Sequence, residues 1–188
     1  KLADTSFGQL HYRDTGAGEA IVLLHVNQQS STSYLEMIAE LSPHMRVIAP
    51  DYPSHGASDH INYQPTINDY ARSVMEVLDD AGIDKFAILG EATGTGVAVE
   101  ISAMHPDRVT KIILVNCPVN KETPEAMLAP FKDDFRPADS SGFPSTRTID
   151  FMLTKDPKHS PMNPTQSWMD RVNTSQMECG RDRWQALT

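Results

Sequence analysis

Residues 90 to 94 read Gly-Glu-Ala-Thr-Gly and follow the apolar run Phe86-Ala87-Ile88-Leu89. Glycines on either side of such a centre mark a sharp strand-to-helix turn, because the central residue is held in a strained backbone conformation that leaves no room for neighbouring side chains. In the pattern G-x-S-x-G the turn lifts a serine oxygen out of the sheet to attack a carbonyl carbon. Here the centre is Ala92, which has no nucleophilic atom. What remains is a means of stabilising negative charge. The backbone N–H of Thr93 follows the centre and is positioned as a donor to a developing oxyanion. Its hydroxyl is expected to face the helix rather than replace the missing nucleophile.

A second donor is available at Asn27, two residues beyond His25. Its backbone N–H, or its carboxamide, can point at the same oxygen; a polar loop cap is the equal alternative for this side chain. Gln28, Glu91 and Asn116 stand beside these positions and are candidate substrate-binding residues. His25, Asp51 and His55 read as structural, with His25 anchoring its loop through backbone hydrogen bonds. Met75, Met104 and Met127 lie among apolar residues at helical spacing and read as core filler. Cys117 reads as a small buried hydrophobe. Cys117 and Cys179 stand 62 residues apart without metal-type spacing, so neither a disulfide scaffold nor a metal module is expected, and no cofactor is implied.

The elements that must position these residues follow from periodicity. Gln9 to Asp14 alternates like an exposed strand, and Gly16 to Glu19 is expected to turn it back as a hairpin into the buried run Ile21 to His25. Val47 to Ala49, Phe86 to Leu89 and Ile112 to Val115 are further short buried strands, closed by Pro50, Gly90 and Asn116. Between them Thr32 to Leu41, Thr66 to Ala81 and Gly94 to His105 carry helical spacing, with Thr66 as N-cap and Gly82 just past a C-terminus. This alternation predicts an α/β fold with a doubly wound, mostly parallel sheet. Its chemistry belongs beyond the carboxyl ends of the strands.

Taken together, His25-Val26-Asn27, the stretch Val47 to Asp59, Leu89 to Gly94 and His105-Pro106-Asp107-Arg108-Val109 resemble the α/β-hydrolase fold family in order and spacing, over about Phe7 to Val119. The resemblance implies a hydrolase of an ester, lactone or similar small apolar substrate, inactive as written because Ala92 holds the nucleophile position of a Ser, Cys or Asp. The alternative is a non-catalytic member that binds a ligand or partner. Asn27 is similar to the halide-binding position of haloalkane dehalogenases, a branch that needs an Asp nucleophile. Either a Ser→Ala replacement or a natural branch would leave Ala92; Val26, in place of the family's Gly, favours the branch. The family also implies an acid and a histidine on later strands beneath a helical cap. Residues 1–119 resemble the N-terminal part of the core and residues 120–188 the cap, with helices expected at Lys121 to Phe131, Pro144 to Leu153, Pro164 to Met177 and Gln176 to Leu187. His105 and His159 are poor bases. The chain is therefore expected to be incomplete, or to complete its sheet by self-association or through a partner chain, and Asp133 to Pro164 is expected to be mobile.

Composition narrows the rest. The 188 residues hold 16 Lys plus Arg against 25 Asp plus Glu, a formal charge of -9. That excludes a basic nucleic-acid footprint as the main business. No apolar run approaches the roughly 18 residues of a membrane span, so a membrane partner is not expected and a cytoplasmic location is. Eight of the 13 prolines fall from Pro118 onward, which separates a regular α/β region from a loop-rich one. The expected partner is a small molecule.

Overall fold

The structure, a computed structural model, describes residues Lys1 to Cys117. Its elements are β1 (Leu2–Thr5), β2 (Gly8–Thr15), β3 (Ala20–Leu24), a 3-10 turn (Ser31–Tyr34) running into α1 (Leu35–Leu41), β4 (Arg46–Pro50), α2 (Ile67–Asp80), β5 (Phe86–Glu91), α3 (Thr93–Met104) and β6 (Val109–Val115). They form one six-stranded sheet in the order β1-β2-β4-β3-β5-β6. The last four strands in that order are mutually parallel, and β1 and β2 add antiparallel pairs at one side.

Strand alternation sorts the core into two layers. Ile21, Leu23, Val47 and Ala49 point to one face, where they bury Ile38 of α1 together with Tyr34. Val22, Leu24, Ile48 and Ile88 point to the other and pack against α2 and α3. Both faces of the central strands are therefore covered, and this is why their sequences read as unbroken apolar runs. On α2 the capping box between Thr66 and Asp69 contributes about 1 kcal/mol. Burial of Tyr70, Val74, Val77 and Leu78 outweighs it several-fold at about 1.5–3 kcal/mol per large side chain. Packing holds the helix, and the cap sets where it begins.

The expected Gln9-to-His25 hairpin does not form. β4 lies between β2 and β3, and β2 pairs antiparallel with β4, Tyr12 opposite Pro50 and Thr15 opposite Val47. A bidentate Arg46–Asp14 pair, at 2.9 and 2.8 Å, ties these two strands together, and Lys1 Nζ joins Asp14 at 2.6 Å. Met104 is exposed at the end of α3 rather than in the core, and Cys117 is exposed rather than buried. Met75 is buried as expected, whereas Ile112 to Val115 form strand β6 but are exposed rather than buried, because β6 ends the described sheet with β5 as its one neighbour. The expected cap helices, Met127, His159, Cys179 and the expectation of mobility from Asp133 to Pro164 fall outside the described residues.

From β3 the chain crosses to β4 on one side and, through α2, to β5 on the other side. The carboxyl ends of β3 and β5 are thus adjacent at the point where the winding reverses. A crevice for a ligand opens at such a point in sheets of this kind.

Candidate functional site

Backbone strain marks this end of the sheet. The non-glycine residues with positive φ among those described are Gln28 (64°), Ser54 (60°), Ala92 (46°) and Asn116 (52°). Each lies in the segment leaving one of the four parallel strands at its carboxyl end, β3, β4, β5 and β6 in turn. Strain of this type costs about 1–3 kcal/mol per residue and persists where the surrounding structure over-determines it.

Ala92 has the sharpest constraint. It caps α3 with φ 46° and ψ −108°. Its N–H donates to Val115 O on β6 at 3.0 Å, and its carbonyl accepts from Thr95 N at 2.9 Å and Thr95 Oγ1 at 2.6 Å. A Cβ on Gly90 would lie 2.1 Å from Gly94 O, and one on Gly94 would lie 2.2 Å from Leu24 O. Only glycine fits at either place, so the turn is closed against β3 and the first N–H groups of α3, with Thr93 at their head, open at the carboxyl end of the sheet.

Asn27 meets this turn from the neighbouring loop. Its backbone N–H donates to Thr93 Oγ1 at 3.3 Å, and both residues are buried. Its carboxamide oxygen accepts from Gln28 N and stands 3.0 Å from His55 Nε2. Its Nδ2 is buried without a hydrogen-bond partner. A buried donor in that condition is costly unless an acceptor visits it. Of the two donors expected at Asn27, the carboxamide is the open one, since the backbone N–H is engaged with Thr93.

The histidines are held by other work. Tyr52 N–H donates to His25 Nε2 at 3.3 Å, which leaves the ring proton on Nδ1 to donate to Val26 O at 2.8 Å. His11 Nδ1 pairs with Asp51 at 2.8 Å. Ser31 N donates to the other Asp51 oxygen at 2.6 Å. Burial opposes ionisation of Asp51, but the hydrogen bonds from His11 and Ser31 outweigh it and hold the carboxyl below its ordinary value. A Cβ on Gly56 would lie 2.1 Å from Asp51 Oδ2, so the loop after β4 wraps this carboxylate closely.

Glu91 is half-buried at the end of β5. Its charge, after burial itself, pushes the Tyr34 hydroxyl well above its ordinary value; that hydroxyl donates to Leu24 O at 2.9 Å. Gln28 is half-buried beside Asn27, and Asn116 is exposed at the end of β6. The structure thus joins Asn27, with Gln28 beside it, to Thr93 of the elbow, while Glu91 pairs with Val115 and Ala92 N–H donates to Val115 O, so that Asn116 follows at the exposed end of the neighbouring strand. His11, Ser31 and Tyr34 escaped sequence reasoning. Alternation along β2 buries Leu10 and Tyr12 and leaves His11 half-buried on the opposite face, so no local signal marked it. Among the described residues no group of three or more His, Cys, Asp or Glu is arranged to hold a metal, and no helix is long and apolar enough to cross a membrane.

Comparison with known proteins bears on the same region. The model of the alpha/beta hydrolase fold family matches residues 19–173. Haloalkane dehalogenase 2 of Mycobacterium tuberculosis is 34% identical over 116 residues, 60% of this chain and 40% of that protein. A putative non-heme haloperoxidase of Mycobacterium phage D29 is 35% identical over 108 residues, 57% of this chain and 39% of that protein. The chain therefore spans about two fifths of the length of these curated relatives. Among solved structures, a thermophilic esterase from Thermogutta terrifontis superposes with a TM-score of 0.76 at 19% identity, covering 97% of this chain and 71% of the esterase. Est816, an N-acyl homoserine lactone degrading enzyme, gives 0.71 at 20% identity, covering 93% and 65%. At such identities the likeness is one of fold.

Proposed function

The chain belongs to the alpha/beta hydrolase fold family, and we propose that its site receives the carbonyl group of a small ester, lactone or similar apolar substrate without cleaving it through an acyl-enzyme. The observation that carries this reading is the backbone of Ala92, kept at φ 46° and ψ −108° although no nucleophile is attached to it. A relaxed turn would spare about 1–3 kcal/mol. In this reading the strained turn serves, without a nucleophile, to offer Thr93 N–H to a ligand together with Asn27 Nδ2; the bond between Asn27 N–H and Thr93 Oγ1 and the unpartnered state of Nδ2 support it.

In this reading the substrate oxygen accepts from Thr93 N–H and Asn27 Nδ2, two fixed donors in a largely dry setting. The carbonyl carbon then rests over the Ala92 methyl, where no atom attacks. Gln28 and Glu91 border the bound molecule. A carbon–halogen reading, prompted by the dehalogenase relative, requires a carboxylate at position 92, and Ala92 does not provide one. The same absence supports the reading proposed here, a member of the family that holds a ligand and releases it unchanged.

Ligand-observed NMR with γ-butyrolactone and ethyl butyrate tests the proposal. Binding without hydrolysis is expected. Asn27→Leu should weaken it about fivefold, the equivalent of one hydrogen bond near 1 kcal/mol. No binding would overturn the pocket, and enzymic turnover with Ala92 in place would overturn the missing attack.

A further inference from the structure

His55 is 1% exposed, and each of its ring nitrogens faces a carbonyl oxygen: Nδ1 lies 3.0 Å from Pro53 O and Nε2 lies 3.0 Å from Asn27 Oδ1. The identity of the second oxygen is fixed by the chain, because Gln28 N–H donates to that same atom at 3.0 Å and a backbone N–H does not face an amide NH2. A neutral imidazole has one N–H. In either tautomer it would set a bare lone pair against one of these two oxygens. We infer that His55 is held as an imidazolium, donating from both nitrogens, and that it is the positioning residue which turns Asn27 Nδ2 toward the ligand.

Burying a charge is costly unless its donors are satisfied, and here both are, by charge-assisted bonds. The Tyr52 and Tyr70 rings stand at 5.8 and 5.9 Å from the His55 ring in edge-to-face arrangements that wall it on two sides. His25 is 5.3 Å away but is neutral, since its Nε2 receives Tyr52 N–H, so no second cation opposes the first. Asp51, the acidic residue of the same loop, has its carboxyl held below the ordinary value and accepts from Ala57 N, two residues beyond His55. The described groups that face His55 include Asn27 and His25 from the loop after β3, Tyr70 from α2, and Tyr52 and Pro53 from its own segment.

The consequence for the site rests on the functional reading above. With Oδ1 committed to two donors, the carboxamide cannot flip, and Nδ2 is the polar atom left to meet a ligand. A charged donor behind the amide polarises it and strengthens that N–H. The site therefore favours a carboxylate, or a carbonyl oxygen that is gaining charge, over a neutral hydroxyl ligand. His55 touches no ligand itself and acts through Asn27.

Long-range 1H–15N correlation spectra of the full chain with 15N-labelled histidine, recorded without ligand at pH 7, test the inference. Two protonated ring nitrogens are expected for His55 and one for His25, which serves as the internal reference. One bare nitrogen on His55 would overturn it. The functional reading stands or falls on lactone and ester binding, so the two failures are distinguishable. His55→Gln retains an N–H for Asn27 Oδ1 and should leave the Asn27 side-chain NH2 resonances near their original positions, whereas His55→Leu should move them. Equal displacement in both variants would overturn the positioning role. Should His55→Leu not fold, the histidine spectrum of the unaltered chain decides the matter.

Discussion

The backbone N–H of Asn27 donates to Oγ1 of Thr93 across 3.3 Å, joining the loop after β3 to the first turn of α3 over a separation of 66 residues. The bond sets the distance between the two groups that would share a ligand oxygen. Thr93→Val keeps the shape of the side chain and removes the acceptor, leaving a buried N–H unmade. The expected cost is about 1–2 kcal/mol in urea unfolding, against under about 1 kcal/mol for Thr93→Ser, which retains the oxygen. Equal costs would show that the bond contributes nothing.

Two glycines of the turn and one of the helix that follows separate steric need from helix propensity. Gly90→Ala and Gly94→Ala would each drive a Cβ to within 2.1–2.2 Å of a backbone oxygen, so backbone must move. Losses of about 3 kcal/mol or more are expected for each. Gly96, on the same helix, has Ile67 as its nearest neighbour at 3.6 Å, an ordinary contact. Gly96→Ala should therefore be neutral or stabilise by up to about 1 kcal/mol. Thermal or urea melts of the three variants order them directly.

Ala92→Gly should stabilise the chain. Relief of the positive φ is worth about 1–3 kcal/mol, and the extra freedom of glycine in the unfolded chain returns about 0.5–1 kcal/mol. A net gain near 1 kcal/mol in urea unfolding is expected. A loss would mean that the turn relaxes at Ala92 and stores no strain.

The parallel strands and their helices were legible because each apolar run is closed by a residue that stops it, Pro50, Gly90 or Asn116, and because Thr66 and Gly82 bracket α2. Strand β1 was not, since only Ala3 of its four residues is buried and its pairing depends on the turn before Gly8 at φ 96°. The misread hairpin has a related cause. Gly16 and Gly18 turn the chain, but the partner of β2 is chosen by the parallel β3–β4 pair that forms 30 residues further on. At the site, Ala92 and Thr93 could be read from a five-residue spacing. The His11–Asp51, Ser31–Asp51 and His55–Asn27 contacts span 40, 20 and 28 residues and depend on loop paths that no local pattern encodes.

Acid should weaken the β2–β4 junction in a defined window. The bonds from Arg46, opposed by burial and aided by Lys1, hold the Asp14 carboxyl at about 2 against an ordinary 3.8. Asp51 is shifted in the same direction. A carboxyl whose folded value is lowered contributes its stability in full above the unfolded value and loses it as pH falls through the folded one. For Asp14 the loss runs from about pH 4 to about pH 2 and amounts to about 1 kcal/mol once solvent screening is allowed for. Urea midpoints measured across that range should fall less in Asp14→Asn than in the parent chain. Parallel curves would remove Asp14 from the acid response.

Restoring a hydroxyl at the centre of the elbow should not restore hydrolysis. A serine at position 92 needs a base within about 3 Å to take its proton at neutral pH. The buried imidazoles are committed, His25 accepting from Tyr52 N–H and giving its proton to Val26 O and His55 spanning Pro53 O and Asn27 Oδ1, while His11 of β2 is paired with Asp51. Freeing any of them would break a hydrogen bond that holds its segment in place. Base catalysis is worth about 10²–10⁴ in rate, so its absence is measurable. Hydrolysis of p-nitrophenyl acetate by Ala92→Ser is therefore expected to stay within about tenfold of the parent chain. A rise of about a hundredfold or more would require a base supplied from beyond Cys117, and the site would then belong to a hydrolase lacking one atom.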